Sequence, residues 1–112
     1  MRIHTDHNGV YVNAIYKTAD DKNVAGHMYQ IQTGTKQTEL MFQLGGVATN
    51  GVNGLTNEAL IAVLIHRINY LNQQFPCPEN FKTISHLEDA LTNLEVRTAR
   101  RMVRGVEGKE VA

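Results

Sequence analysis

The sequence predicts an α+β fold in which a small N-terminal antiparallel β-sheet is followed by a two-helix antiparallel hairpin. Three observations lead to it. Residues 1–46 hold short runs rich in β-branched and aromatic side chains, separated by turn residues. Glycines at 45, 46, 51 and 54 then mark a crossing. From residue 55 to 105 the apolar residues recur at helical spacing, interrupted once by Phe75-Pro76-Cys77-Pro78. A chain of 112 residues with 42% hydrophobic content is expected to be a single domain, residues 1–112, burying roughly two thirds of its unfolded surface.

Each element has a local cause. Asn8-Gly9 is a hairpin-turn signal, and it precedes a strand at residues 10–16. The polar turn at 19–23 leads to a second run at 27–32 with partial alternation, and a third strand is expected at 39–43. Strands this short need a helix or another chain to cover them. Gly51-Val52-Asn53-Gly54 reads as a sharp turn, because the lysine and hydroxyl residue of a Walker loop do not follow it. Thr56 is placed to cap a helix, with Glu58 in its first turn where an acid suits the dipole. That helix runs from Ala59 to about Gln73, and Leu60, Ile61, Val63, Leu64, Ile65, Ile68 and Leu71 cover more than one narrow stripe. Two surfaces must therefore cover it. Pro76 ends it by removing a donor and turning Phe75 away from helical angles, and Pro78 suits the first turn of the next helix. The second helix carries Ile84, Leu87, Leu91, Leu94 and Thr98 at 3-4 spacing, an amphipathic seam, and is expected to reach Arg104 with Gly105 as a left-handed stop.

Composition narrows the function. Eleven Lys and Arg balance eleven Asp and Glu, which argues against a surface built as a whole for nucleic acid. Any anion site must be local. Cys77 is alone, so no intrachain disulfide is expected. There is no apolar run of membrane-spanning length, and MRIHTDHNG lacks the layout of a signal peptide, so a cytoplasmic location is expected. Neither a catalytic nor a metal constellation emerges. His4 and His7 lack further ligands, His66 and His86 read as helix residues, and Glu88 and Asp89 point apart on their helix. No enzyme activity, cofactor or metal is expected.

The segment Arg97 to Gly108, RTARRMVRGVEG, packs four arginines and no acid into its first eight residues. On a helix, Arg97, Arg101 and Arg104 fall at i, i+4 and i+7 and form a stripe suited to phosphate oxygens, with Arg100 on the flank. The competing reading is a solvated helix end whose cations complement the dipole. Substituting Arg97 or Arg101 is expected to leave the fold intact, because exposed arginines contribute little to stability. Tyr70 and Phe75, at the end of the first helix, can offer a flat face to a base, or can close the core. Asn80 can hydrogen-bond a base or ribose, or satisfy backbone groups of the first turn.

The stretch from about Phe42 to Gly108, with FQLGG, GVNGLTNEALIAVL, FPCPEN, LEDALTNL and RTARRMVRGVEG in order, resembles the Thoeris anti-defence sponge family of bacteriophages, the first type described. Its hairpin is similar to that of phage sponges that counter CBASS immunity. The resemblance implies a non-catalytic protein that sequesters cyclic ADP-ribose isomers made by host TIR-domain proteins, acting in the host bacterial cytoplasm. For some members it also implies uptake of cyclic oligonucleotides at a separate site. Carried over by position, Tyr70 matches an aromatic that stacks on adenine, Asn80 the Asn of the hairpin motif, and Arg97 and Arg101 phosphate-facing arginines. Members commonly carry Cys-Arg-Glu-Asn where this chain has Cys77-Pro78-Glu79-Asn80, so a contact from that arginine is absent.

Spacing adds a constraint. Asn80 and Arg97 lie about 25 Å apart along one helix at 1.5 Å per residue, so one small ligand reaches both only if two hairpins pack antiparallel. The expected unit is a homo-oligomer, a two-fold dimer or higher, with pockets at chain interfaces. The candidate ligand-binding residues are Tyr70, Phe75, Asn80, Arg97, Arg101 and Arg104. The alternatives are a small nucleic-acid-binding phage accessory protein using the same basic stripe, and a purely structural oligomerisation module.

Overall fold

The computed structural model describes residues 1–111, which form two compact units, Met1–Leu55 and a second from Thr56 onward. The first unit is a four-stranded antiparallel meander of β1 (Arg2–Thr5), β2 (Tyr11–Lys17), β3 (Asn23–Thr33) and β4 (Lys36–Met41), in the order β1-β2-β3-β4. The second is a hairpin of two long helices. The α+β class, with the sheet first and the antiparallel hairpin after it, is as the sequence predicts.

Turn chemistry sets the register of the meander. The Asp6 carboxylate accepts the backbone N–H groups of Asn8 and Val10, and Gly9 takes φ +78°, which closes the β1–β2 turn. Asp21, one residue type that tolerates the left-handed region, stands at φ +63° in the next turn, where Lys17 pairs with it at 3.2 Å. Gly34 supplies positive φ for the two-residue turn between Thr33 and Lys36. The third strand of the sheet begins earlier than the sequence suggests, because the β2–β3 register shifts between Ile15 and Lys17 and Gly26, at φ +80°, absorbs the irregularity. Val24 and Ala14 are the buried centre of this unit, and Tyr29 meets Phe42 edge to face at 5.9 Å. β1 is exposed throughout, and Arg2 lies over the Tyr11 ring at 3.8 Å.

The expected strand at 39–43 stops at Met41, because Phe42 and Gln43 turn to the following loop. Phe42 forms a parallel bridge with Leu55, and the Nδ1 of His27 lies 2.8 Å from the Gln43 carbonyl oxygen. Two amide side chains then bind the loop to itself. Asn53 accepts from the Leu44 N–H and donates to the Leu44 carbonyl, while Gln43 accepts from the Asn53 N–H and donates to the carbonyls of Gly45 and Gly51. A four-residue helix, α1 (Val47–Asn50), sits inside this bracket. The GVNG turn is thus a structural knot, as its lack of a Walker signature predicts.

The helices are α2 (Asn57–Gln74) and α3 (Pro78–Val103). Thr56 caps α2 by accepting from the Ala59 N–H, and Phe75 leaves helical angles at φ −136°, ψ 76°. Pro78 opens α3, Arg104 is its C-cap, and Gly105 follows at φ +72°. The tight reversal is held by Asn72, a buried residue near the end of α2 whose side-chain oxygen accepts the Cys77 N–H at 3.1 Å. Along α2 the half-buried or buried positions are Glu58, Leu60, Ile61, Ile65, Ile68 and Asn72. Along α3 they are Asn80, Ile84, Leu87, Ala90, Leu91, Leu94, Thr98 and Arg101; all but Ala90 follow a 4-3-4-3-4-3 series, whose earlier part lies beside α2. α3 has 26 residues and α2 has 18, so α3 overruns the start of α2 by about two turns.

Gly54 is fixed by space. A Cβ there would stand 2.6 Å from the Phe42 carbonyl carbon. Gly54→Ala is therefore expected to destabilise the first unit by about 1–3 kcal/mol, the usual cost of overpacking against backbone. Thermal melting checks this, and an unchanged melting temperature would show that the loop yields without cost.

Candidate anion-binding site

The residues singled out by the sequence divide between the two ends of the hairpin. Tyr70 lies one turn before the end of α2, Phe75 follows its last residue, and Asn80 is in the first turn of α3. Arg97, Arg101 and Arg104 occupy the far end of α3. Within one chain the structure gathers each group but does not join them, since 17 residues of continuous α3, about 25 Å, separate Asn80 from Arg97.

At the turn end, the aromatic rings are on the surface. Tyr70 is 56% and Phe75 77% exposed, so neither closes the core. Tyr70 shares a shallow groove on α2 with Ala62, Val63, His66 and Arg67. His66 and Arg67 therefore stand beside the ring, one turn before it, a proximity that i+3 and i+4 spacing could have indicated. Asn80 is half-buried, because it occupies the first position of the α3 seam.

The arginine end differs from expectation in one residue. Arg101 is only 6% exposed. Its Nε donates to the Glu107 carboxylate at 2.9 Å, its Nη2 donates to the carbonyls of Val106 at 2.9 Å and Lys109 at 2.7 Å, and its Nη1 donates to the Val111 carbonyl. The segment after Gly105 thus curls back on the helix end, aided by a Val106 N–H donated to the Arg101 carbonyl. The exposed stripe of Arg97, Arg101 and Arg104 is corrected accordingly: Arg101 is a seam residue turned into the tail. The cause is register, since position 101 continues the 3-4 spacing of Leu91, Leu94 and Thr98. Continuing that series by one step in the sequence would have found it.

Arg97, Arg100 and Arg104 are exposed. At about 100° per residue they span an arc of about 60°, with Glu95 on the opposite side of the helix. Among the described residues neither Arg97 nor Arg100 has an acidic partner, whereas Arg104 makes an interaction within the chain. Arg100 and Arg104 border a groove floored by Val96, Ala99 and Val103. Such an arrangement can offer forked, cationic donors beside apolar surface, which suits a phosphorylated ligand with a flat organic part. Among the described residues no cluster of three or more His, Cys, Asp or Glu side chains could hold a metal ion, and no helix is long and apolar enough to cross a membrane.

The burial of Arg101 reverses its expected effect on stability. Arg101→Ala removes charge-assisted hydrogen bonds from a desolvated group and is expected to cost about 1–3 kcal/mol, while Arg97→Ala changes stability by less than about 0.5 kcal/mol. Chemical denaturation of the two variants beside the parent separates these outcomes, and equal midpoints would contradict the role given to Arg101.

No family model matches the chain. Among curated proteins it is 50% identical over 74 residues to Thoeris anti-defense 1 of Bacillus phage SBSphiJ7. The matched stretch takes in 65% of this chain and 52% of that relative, so the chain spans about half the length of the curated protein it matches. Over this shared stretch the chain is similar to a Thoeris anti-defence protein, a similarity that supports membership of the Thoeris anti-defence family.

Proposed function

We propose that the protein binds and sequesters cyclic ADP-ribose isomers made by host TIR-domain proteins, without cleaving them, in the cytoplasm of an infected bacterium. The observation that carries this reading is the split site: exposed aromatic rings with Asn80 at one end of the hairpin, and exposed arginines at the other. A nucleotide with a base at one side and a diphosphate at the other needs both. Two chains packed antiparallel with two-fold symmetry would bring the Tyr70 end of one hairpin to the Arg97 end of the next. The second surface of α2 supports that pairing, since Val63, Leu64 and Leu71 remain exposed beside Tyr70.

The roles follow from the side-chain chemistry. Tyr70 and Phe75 stack on the base, a contact contributing about 1–3 kcal/mol per base. Asn80 donates to and accepts from a base edge or ribose hydroxyl. Arg97 and Arg104 take phosphate oxygens, and Arg101 supports them from within the chain. A separate site for cyclic oligonucleotides belongs to the same proposal. The name of the curated relative, an anti-defence protein, fits a protein that removes a signal.

Calorimetry with cyclic ADP-ribose isomers tests the reading. Binding is expected, with Tyr70→Ala and Arg97→Ala each weakening it by about tenfold or more while the melting temperature holds. Light scattering is expected to give a dimer or a multiple of it. The protein incubated with an activated TIR extract, washed and heated should release an intact isomer, identified by mass. Absence of binding to any isomer at micromolar protein would overturn the proposal, and release of a linear product would overturn sequestration without cleavage.

A further inference from the structure

We propose that Asn8 is a site of covalent self-modification by deamidation, driven by the Gly9 backbone nitrogen, and that the fold holds the other two Asn-Gly steps of the chain against the same reaction. The inference is independent of any ligand.

Asn-Gly occurs three times, at Asn8-Gly9, Asn50-Gly51 and Asn53-Gly54. The reaction requires the glycine amide nitrogen to reach the side-chain carbonyl carbon, Cγ, of the asparagine. A bond forms between them, the bond from Cγ to the side-chain nitrogen breaks, and that nitrogen leaves as ammonia carrying the proton of the glycine amide. Water then opens the five-membered imide at either carbonyl, leaving an aspartyl or a β-aspartyl residue. Glycine favours ring closure because it places no Cβ in the way and lets the backbone turn. By sequence the three steps are alike, and all three asparagines are exposed. Hydrogen bonding separates them.

Asn53 is locked at both ends of its side chain. Its Oδ1 accepts the Leu44 N–H at 2.9 Å, its Nδ2 donates to the Leu44 carbonyl at 2.8 Å, and its own N–H is held by the Gln43 Oε1 at 2.9 Å. Both side-chain bonds must break before Cγ can turn back onto its own chain. Gly54 has little room to follow, since a Cβ there would stand 2.6 Å from the Phe42 carbonyl carbon. Asn50 closes α1: the attacking Gly51 N–H is donated to the Val47 carbonyl at 2.9 Å, and the Asn50 Nδ2 reaches the Gly46 carbonyl at 3.2 Å. Asn8 differs from both. Among the described residues its side chain has no hydrogen-bond partner, and the Gly9 N–H is held by one bond, to the Asp6 carbonyl at 3.1 Å, at an exposed hairpin tip. Local opening of such a tip frees the attacking nitrogen.

The product alters the turn that sets β1. A β-aspartyl link routes the backbone through Cβ and adds one atom between residues 8 and 9. The N–H groups of residues 8 and 10 then no longer both meet the Asp6 carboxylate, to which they donate at 2.8 and 3.1 Å. β1 stands at the edge of the sheet and pairs with β2 through this turn.

The test keeps the full chain in warm, mildly alkaline buffer, folded or in concentrated urea, and follows each Asn-Gly peptide by proteolysis and mass spectrometry. In urea the three steps are expected to convert at similar rates. In the folded protein Asn8 is expected to convert at least about tenfold faster than Asn50 or Asn53, because more hydrogen bonds must open at each of those. Asn8→Gln should all but abolish conversion in the N-terminal peptide. Gln43→Ala, which removes one wall of the bracket around Asn53, should speed conversion there and leave Asn8 unchanged. Folded-state rates at Asn50 or Asn53 that match the rate at Asn8 would overturn the proposal, whatever Gln43→Ala does to stability. An unchanged Asn53 rate in folded Gln43→Ala would overturn the protection assigned to the bracket.

Discussion

The packing of α3 against α2 is the constraint on which the rest of the helical unit depends. Two helices joined by three residues have one shared stripe along which to exclude water, and on α3 that stripe is set by an alternation of three and four residues that begins at Asn80. Once Ile84 is buried, every other side chain on the helix has its direction fixed in relation to it. Arg101 is drawn inward by the same register that turns Arg97 and Arg100 outward. The chemistry of the arginine run is therefore decided by packing more than half the helix away. Asn80 and Asn72 bear on the opposite end: one begins the seam with a polar residue, and the other anchors the reversal through the Cys77 backbone.

The first unit follows a different rule, because its elements are too short to bury much surface. Val24 and Ala14 are its buried apolar residues, and its order depends instead on backbone groups finding specific partners. Asp6, Gln43 and Asn53 do this with short polar side chains that mimic backbone, while Gly9, Gly26 and Gly34 take angles that other residues resist. The glycine-rich stretch between sheet and hairpin, which could suggest a phosphate cradle, is consumed by this internal bonding. Its amides and carbonyls are turned toward each other, and Gly54 is pressed against the Phe42 backbone.

Local signals made much of this architecture legible in the sequence. Thr56, Pro76, Pro78 and Gly105 act within one turn of their own position, and the structure uses each as its chemistry dictates. The strands at 10–16 and 27–32 were visible from composition, whereas β1 and the early start of β3 depend on pairing across the sheet and on a bulge at Gly26, neither of which short-range patterning encodes. At the site, the separation of Asn80 from Arg97 followed from helix geometry, whereas the sequence left Tyr70 and Phe75 open between a base platform and closure of the core. The burial of Arg101 was half visible. Its seam position could be read from spacing, but its partners lie in a segment with no periodicity, brought back by the left-handed turn at Gly105. Charge alone treated four arginines as equivalent, and only the register distinguishes them.

The overrun of α3 beyond α2 has a mechanical consequence. A helix end that projects past its neighbour is a cantilever, free to fray and bend, and side chains carried on it would sample many mutual spacings. Arg101 works as a splint on that projection: by gathering the carbonyls of residues 106–111 it ties the returning strand of chain along the free end and stiffens it. The neighbouring guanidinium groups are then carried on a helix end whose spacing varies less. An arginine whose donors are spent on its own chain can in this way set the spacing of those beside it.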